Sequence, residues 1–219
     1  EWAELARVRL DAGVAHDRVQ HIVFGGRQDW VRQTSTDPFT GAVTADGERS
    51  DAFTARAGLV YLAPNGLAPY ASFSQSFEPV TGFDRQATRF VPTRGTQYEL
   101  GLRYVPPGRD ILLAAAVYDL TQTNGLVSDP ADTTFSVQLG EERSRGLELE
   151  ARAALTETAS VIAAYAYTDA ETVDGGPLAP GLAGRQKGGI PRHMAALWSD
   201  WRLAALGLPG LKIGAGIRH

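Results

Sequence analysis

No cysteine occurs among the 219 residues, which excludes disulfide frameworks, thiol nucleophiles and zinc–thiolate sites together. Histidine is scarce: His16, His21, His193 and His219 are scattered, with no pair at the spacing of helical metal ligands. Long hydrophobic runs are missing too. The longest, residues 111–118, is eight residues, far short of the roughly 20 that a transmembrane helix needs. Neither charge is in excess: 21 Lys+Arg against 25 Asp+Glu leave −4, so nucleic acid is not expected as a partner. The opening Glu1-Trp2-Ala3-Glu4 has no basic start and no apolar core, and no signal peptide is expected there. A helical membrane protein is excluded; a β protein, soluble or of the barrel type, is not.

What is present is alternation. Ala6, Val8, Leu10, Ala12 and Val14 alternate with Arg7, Arg9, Asp11 and Gly13. Tyr98, Leu100, Leu102 and Tyr104 alternate with Gln97, Glu99, Gly101 and Arg103, and similar runs recur at 147–153 and 211–218. Period two with one apolar and one polar face predicts strands. Ten are expected, over 5–15, 18–34, 49–62, 67–79, 95–105, 110–125, 134–154, 158–171, 189–206 and 210–219. Short turns near 16–17, 64–66, 106–108, 156–157 and 207–210 take turns with longer polar loops near 35–48, 80–94, 126–133 and 172–188. Alternation by itself also suits an antiparallel sandwich. Long loops confined to one end favour an outer-membrane barrel, where turns on one side are short and loops on the other are long. The expected class is all-β, an antiparallel up-and-down transmembrane β-barrel bathed in outer-membrane lipid. Trp30, Tyr61, Tyr70, Tyr104, Trp198 and Trp201 are expected in its interfacial girdles.

In such a barrel the polar alternates face the lumen. Arg7, Arg9, Arg56, Glu99, Arg103, Glu148, Glu150 and Arg152, with Asp11, Lys212 and Arg218, are the expected lumen-facing charges. Most would serve as a ladder of ion pairs; ten strands alone would enclose too narrow an interior for so many long side chains, and a wider barrel would not. No catalytic constellation emerges. A Gly-x-Ser-x-Gly elbow is missing, His16-Asp17 reads as a solvated turn, and Asp169-Ala170-Glu171 and Glu141-Glu142 lack partners for acid–base or calcium chemistry. No enzyme, resident cofactor or metal site is expected. A complete small outer-membrane barrel acting as a pore or hydrolase, or a soluble β-rich interaction module, are the competing readings.

Six ordered stretches bear a resemblance that reaches further. Pro69-Tyr-Ala-Ser-Phe-Ser-Gln-Ser-Phe-Glu-Pro79 and Thr93-Arg-Gly-Thr-Gln-Tyr-Glu-Leu-Gly-Leu-Arg-Tyr104 come first. Residues 116–130, Gly140-Glu-Glu-Arg-Ser-Arg-Gly-Leu-Glu-Leu-Glu150, 165–170 and 190–198 follow in the same order. Together they resemble the strands of TonB-dependent ferric-siderophore receptors of the ferrichrome, or hydroxamate, branch. Gly25-Gly-Arg-Gln-Asp-Trp30 resembles an earlier strand, with Gln28 where an aromatic would be expected. The resemblance implies the middle of a larger barrel of about 22 strands with a plugged lumen, the plug domain and terminal strands lying outside this chain. It implies a ferric siderophore as cargo rather than cofactor, the plug as partner of the lumen charges, and the TonB complex as the energy source acting through the plug. The loop aromatics Phe39, Phe83 and Phe90 are the expected ligand contacts, because rigid rings give large contact area at low entropic cost.

Overall fold

The computed structural model describes residues 2–14, 19–36, 43–208 and 210–219, with side chains over 22–32, 50–204, 207–208 and 210–219. Thirteen strands form among the described residues, in chain order. They are β1 Trp2–Val14, β2 Val19–Thr36, β3 Val43–Tyr61, β4 Leu67–Glu78, β5 Thr93–Tyr104, β6 Ile111–Thr123, β7 Leu126–Ser128, β8 Ser136–Gln138, β9 Glu141–Ala154, β10 Ala159–Asp174, β11 Arg185–Gln186, β12 His193–Arg202 and β13 Lys212–Arg218. All but β7 and β8 join one sheet in the order β1-β2-β3-β4-β5-β6-β9-β10-β12-β13, with β11 hung on β10. Every pairing among the described residues is antiparallel, so the sheet is an up-and-down meander, with the short turns near 64–66, 106–108 and 156–157 at one end. The short-turn end is itself tied together: Gly66, at φ +88, sits where a Cβ would overlap the Val105 carbonyl, and its own C=O accepts the Val105 N–H at 2.9 Å.

Three expected boundaries differ. The run 134–154 is not one strand: β8 turns back on β7 as a separate hairpin beyond the sheet, and β9 begins only at Glu141. Asn124, at φ +60, starts that hairpin with Gly125, the pair of residues best suited to a left-handed backbone. The run 189–206 ends at Arg202, because 203–206 winds into a 3-10 turn that Gly207 closes at φ +76. The loop expected over 35–48 is largely paired, since β2 and β3 continue outward with register shifts between Gln33 and Thr36.

Register decides which side chains share a face. Cross-strand partners carry one row through Ser72, Glu99, Tyr118, Gly146 and Thr168, and another through Arg103, Ala114, Glu150, Ala164, Ala196 and Arg218. The opposite face carries Leu102, Ala115, Leu149, Tyr165 and Ala195 in one row. One hollow of about 680 Å³ is lined from Tyr70 on β4 round to Arg218 on β13. The face with Glu99, Arg103, Glu148, Glu150 and Arg152 carries the charges, and the other carries large exposed apolar side chains, among them Phe24, Leu100, Leu149, Leu197 and Ile217. A transmembrane barrel turns the first inward as its concave wall and the second outward to lipid.

The apolar band does not follow a hydrogen-bonded row. One outward row runs Phe24, Ala57, Phe73 and Tyr98, then becomes Asp119, Arg145 and Asp169 on the next three strands. Strands tilted to the membrane normal demand this drift: a row perpendicular to the strands climbs from the hydrocarbon into the polar zone. Two of the expected girdle aromatics are misplaced for the same reason of parity. Tyr70 pairs with Gly101 and Trp198 with Gly216, which puts both rings on the concave side, while Trp30, Tyr61, Tyr104 and Trp201 keep the outward parity.

Candidate functional site

Two regions hold concentrated polar chemistry: the concave face and the layer of long loops above it. On the concave face, Arg56, Glu99, Arg103, Glu148, Glu150 and Arg152 all lie on one parity. Arg7 and Arg9 are on β1, whose side chains fall outside those described; the register sets their backbones across from Asp29 and Arg27. Tyr70 donates its hydroxyl to Glu99 Oε1 at 2.6 Å, and Gln97 Nε2 donates to Glu99 Oε2 at 3.2 Å. Arg27 Nε donates to the buried Asp29 at 2.6 Å, Arg152 Nε to Glu150 at 2.6 Å, and Lys212 pairs with Asp200 at 2.7 Å. Each of these pairs runs along a strand or between neighbouring strands. Both members of the Glu150–Arg152 pair are well exposed, so Arg152→Gln is expected to change stability by less than about 1 kcal/mol in chemical unfolding.

Bulk on this face is controlled by glycine. The Tyr70 ring covers Gly101, the Tyr118 ring covers Gly146, and Trp198 covers both Gly214 and Gly216, each so closely that a Cβ would collide. An aromatic laid over a glycine on the adjacent strand fills the gap in the pleat and fixes the ring.

The loop layer is built from 79–92, from the β7–β8 hairpin and from 175–192. Its apolar centre is Val137, Leu139 and Ala179, all buried, with Val127, Leu178 and Leu182 packed around it. Asp129 is wholly buried; its Oδ1 accepts the Ala131 N–H at 2.8 Å. Arg85 Nε stands 3.1 Å from its Oδ2 but off the hydrogen-bonding line, so charge rather than an aligned bond holds that oxygen. At the hairpin tip Asp132 accepts from the hydroxyl and the N–H of Thr134, which hold its carboxyl below the usual pKa. Among the loop aromatics the outcomes diverge. Phe39 lies outside the described residues. Phe90 is 8% exposed, its ring packed against Gly82, and serves the loop's interior. Phe83 is 49% exposed, with the Arg89 guanidinium 5.0 Å from its ring centre. Gln138, Asp129, Arg85 and Asn124 were not legible as functional residues; only Asn124-Gly125 carried a signal, that of a turn.

A concave charged wall, an outward apolar band and long loops on one side define a transmembrane barrel of the outer-membrane type. Over residues 9–219 the chain matches the family model described as TonB dependent receptor-like, beta-barrel, and it belongs to that family. It is 43% identical over 199 residues to the ferrichrome outer membrane transporter/phage receptor of Escherichia coli K12, covering 90% of this chain and 26% of that protein. The ferrioxamine B receptor of Salmonella typhimurium is 36% identical over 199 residues, covering 90% of this chain and 27% of that one. Among solved structures, the siderophore receptor PiuA from Acinetobacter baumannii superposes with a TM-score of 0.76 at 23% identity, over 98% of this chain and 32% of that one. That similarity shows the fold alone. The chain spans about a quarter of the length of the curated relatives it matches.

Proposed function

We propose that this chain is the middle of the barrel wall of an outer-membrane receptor that takes up a ferric siderophore, of hydroxamate type, using energy delivered by the TonB complex. The observation that carries this is 43% identity, sustained over 90% of the chain, to a protein named for ferrichrome transport. The similarity to a protein named as a ferrioxamine B receptor supports the same chelate class. In this reading the barrel closes with strands beyond this chain, and a plug domain fills the lumen.

The residues divide the work. No bond in the chelate is made or broken, so recognition rests on contacts and no side chain needs to act as acid, base or nucleophile. The loop layer forms part of the outer vestibule. Phe83, the exposed loop aromatic with a cation beside its ring, offers a flat contact surface to a bulky chelate. Below it, Glu99, Arg103, Glu148, Glu150 and Arg152, together with Arg56, present charges of both signs to the plug. The relatives are transporters and receptors, and an enzymatic role is not proposed.

The test is uptake of radiolabelled ferrichrome and ferrioxamine B by cells whose only hydroxamate receptor is the full-length protein carrying this segment. Uptake of at least one chelate, abolished when TonB is deleted, is the expected result. Neither uptake nor binding of either chelate by a correctly inserted receptor would overturn the reading. Phe83→Ala is expected to weaken binding of the transported chelate about tenfold, or ~1.4 kcal/mol; an unchanged Kd would remove Phe83 from the vestibule.

A further inference from the structure

The three long loops have separate roots in the sheet, yet one short stretch joins them. Strand alternation sends Val137 and Leu139 to one side of β8 and Gln138 to the other. On the Gln138 side, its amide donates to the Val91 C=O at 2.6 Å and accepts the Val91 N–H at 2.9 Å, replacing a ladder pair with a side chain. The same amide donates to Asn124 O at 2.9 Å, and Asn124 Nδ2 in turn donates to Pro92 O at 3.1 Å. Arg85 and Asp129 add a second tie between loop 79–92 and the hairpin. On the other side, Val137 and Leu139 pack on Ala179, with Leu178 and Leu182 from the same loop. Lys187 anchors that loop again, 2.9 Å from Glu142 at the root of β9.

We infer that Val137-Gln138-Leu139 is a two-sided clasp that makes loops 79–92, 124–140 and 175–192 open and close as one body. A side chain bonded to both backbone groups of one residue cannot release it in part, and the apolar cluster behind it is buried only while loop 175–192 is seated. Opening either flank therefore weakens the seat of the other, the condition for a cooperative local unfolding unit. A contact made on loop 79–92 is felt at 175–192, some distance round the rim, without touching it. A vestibule wall ordered in advance also spares a ligand the entropic cost of ordering loops. The inference concerns the loops alone and stands whatever the cargo.

Hydrogen exchange read by mass spectrometry on the full-length protein in detergent tests it, using Leu182→Ala, Gln138→Ala and the double variant. The Phe90 N–H, bonded within its own loop to Gly82 O, reports on 79–92 without involving Gln138 directly. Leu182→Ala is expected to speed exchange about tenfold in peptides of both 175–189 and 82–90. In the Gln138→Ala background its effect on 82–90 is expected to vanish. An effect confined to 175–189, or one on 82–90 that is the same with and without Gln138, would overturn the clasp. Peptides of β5 and β6 report on the barrel; should they lose protection in Leu182→Ala, the milder Leu182→Val carries the same test.

Discussion

Gly101→Val in the full-length protein is expected to lower stability by about 2–4 kcal/mol. Gly101 is buried on the concave face beneath the Tyr70 ring, with no room for a Cβ, let alone a branched side chain. Tyr70 must swing off, and in doing so it withdraws its hydroxyl from Glu99, to which it donates at 2.6 Å. Overpacking of this kind costs about 1–3 kcal/mol, and loss of a hydrogen bond to a charged group about 1.5–3. The two costs overlap because one ring movement causes both. Chemical unfolding of the refolded receptor measures the sum, and Tyr70→Phe isolates the part due to the hydroxyl. Ala116→Val is the control, since Ala116 is Gly101's partner on β6 and already carries a Cβ on the same face. Equal behaviour of Gly101→Val and Ala116→Val would show that the ring over the glycine contributes nothing.

The same pairing explains what could be read from the sequence and what could not. The ten strands along the main path of the sheet, though not the short β7, β8 and β11, and the order of short and long connections were legible because period two and polar loops are local patterns. Assigning the rings of Tyr70 and Trp198 to a girdle failed because an aromatic near a strand end looks alike on either face; only parity against its glycine partner across the strand separates the two. The drift of the apolar band was illegible as well. It depends on tilt and register, which place Tyr98 beside Asp119 although they lie on different strands with different neighbours. The reading of 134–154 as one strand missed the two-sided β8, though Asn124-Gly125 marked the turn that begins the hairpin. The clasp itself left no trace in the sequence, since Gln138 meets Val91 across 47 positions of chain. Phe90, chosen by the same rule as Phe83, went inward because Gly82 leaves the space for its ring.

Leu149→Arg is the second large expected effect, and it measures where the membrane begins. Leu149 stands on the outward face of β9 between Ala115 and Tyr165, inside the apolar band. An arginine facing lipid near the midplane of a barrel costs about 2–4 kcal/mol, falling to about 0–1 near the interface. Four residues along the same strand and on the same face, Arg145 is native, its Nε 3.2 Å from Asp119. Arg143 also reaches Asp119, at 2.9 Å. Arg145→Leu therefore leaves Asp119 with a partner and is expected to change stability by less than about 1 kcal/mol. Leu149→Lys should follow Leu149→Arg, because the penalty comes from the charge and not from the shape of the guanidinium. Refolding into phospholipid vesicles and titration with guanidinium compares all three. A cost for Leu149→Arg no larger than that of Arg145→Leu would mean that the hydrocarbon boundary on β9 does not fall between these residues. The tilt inferred from the passage of Tyr98 into Asp119 and Arg145 would then fall with it.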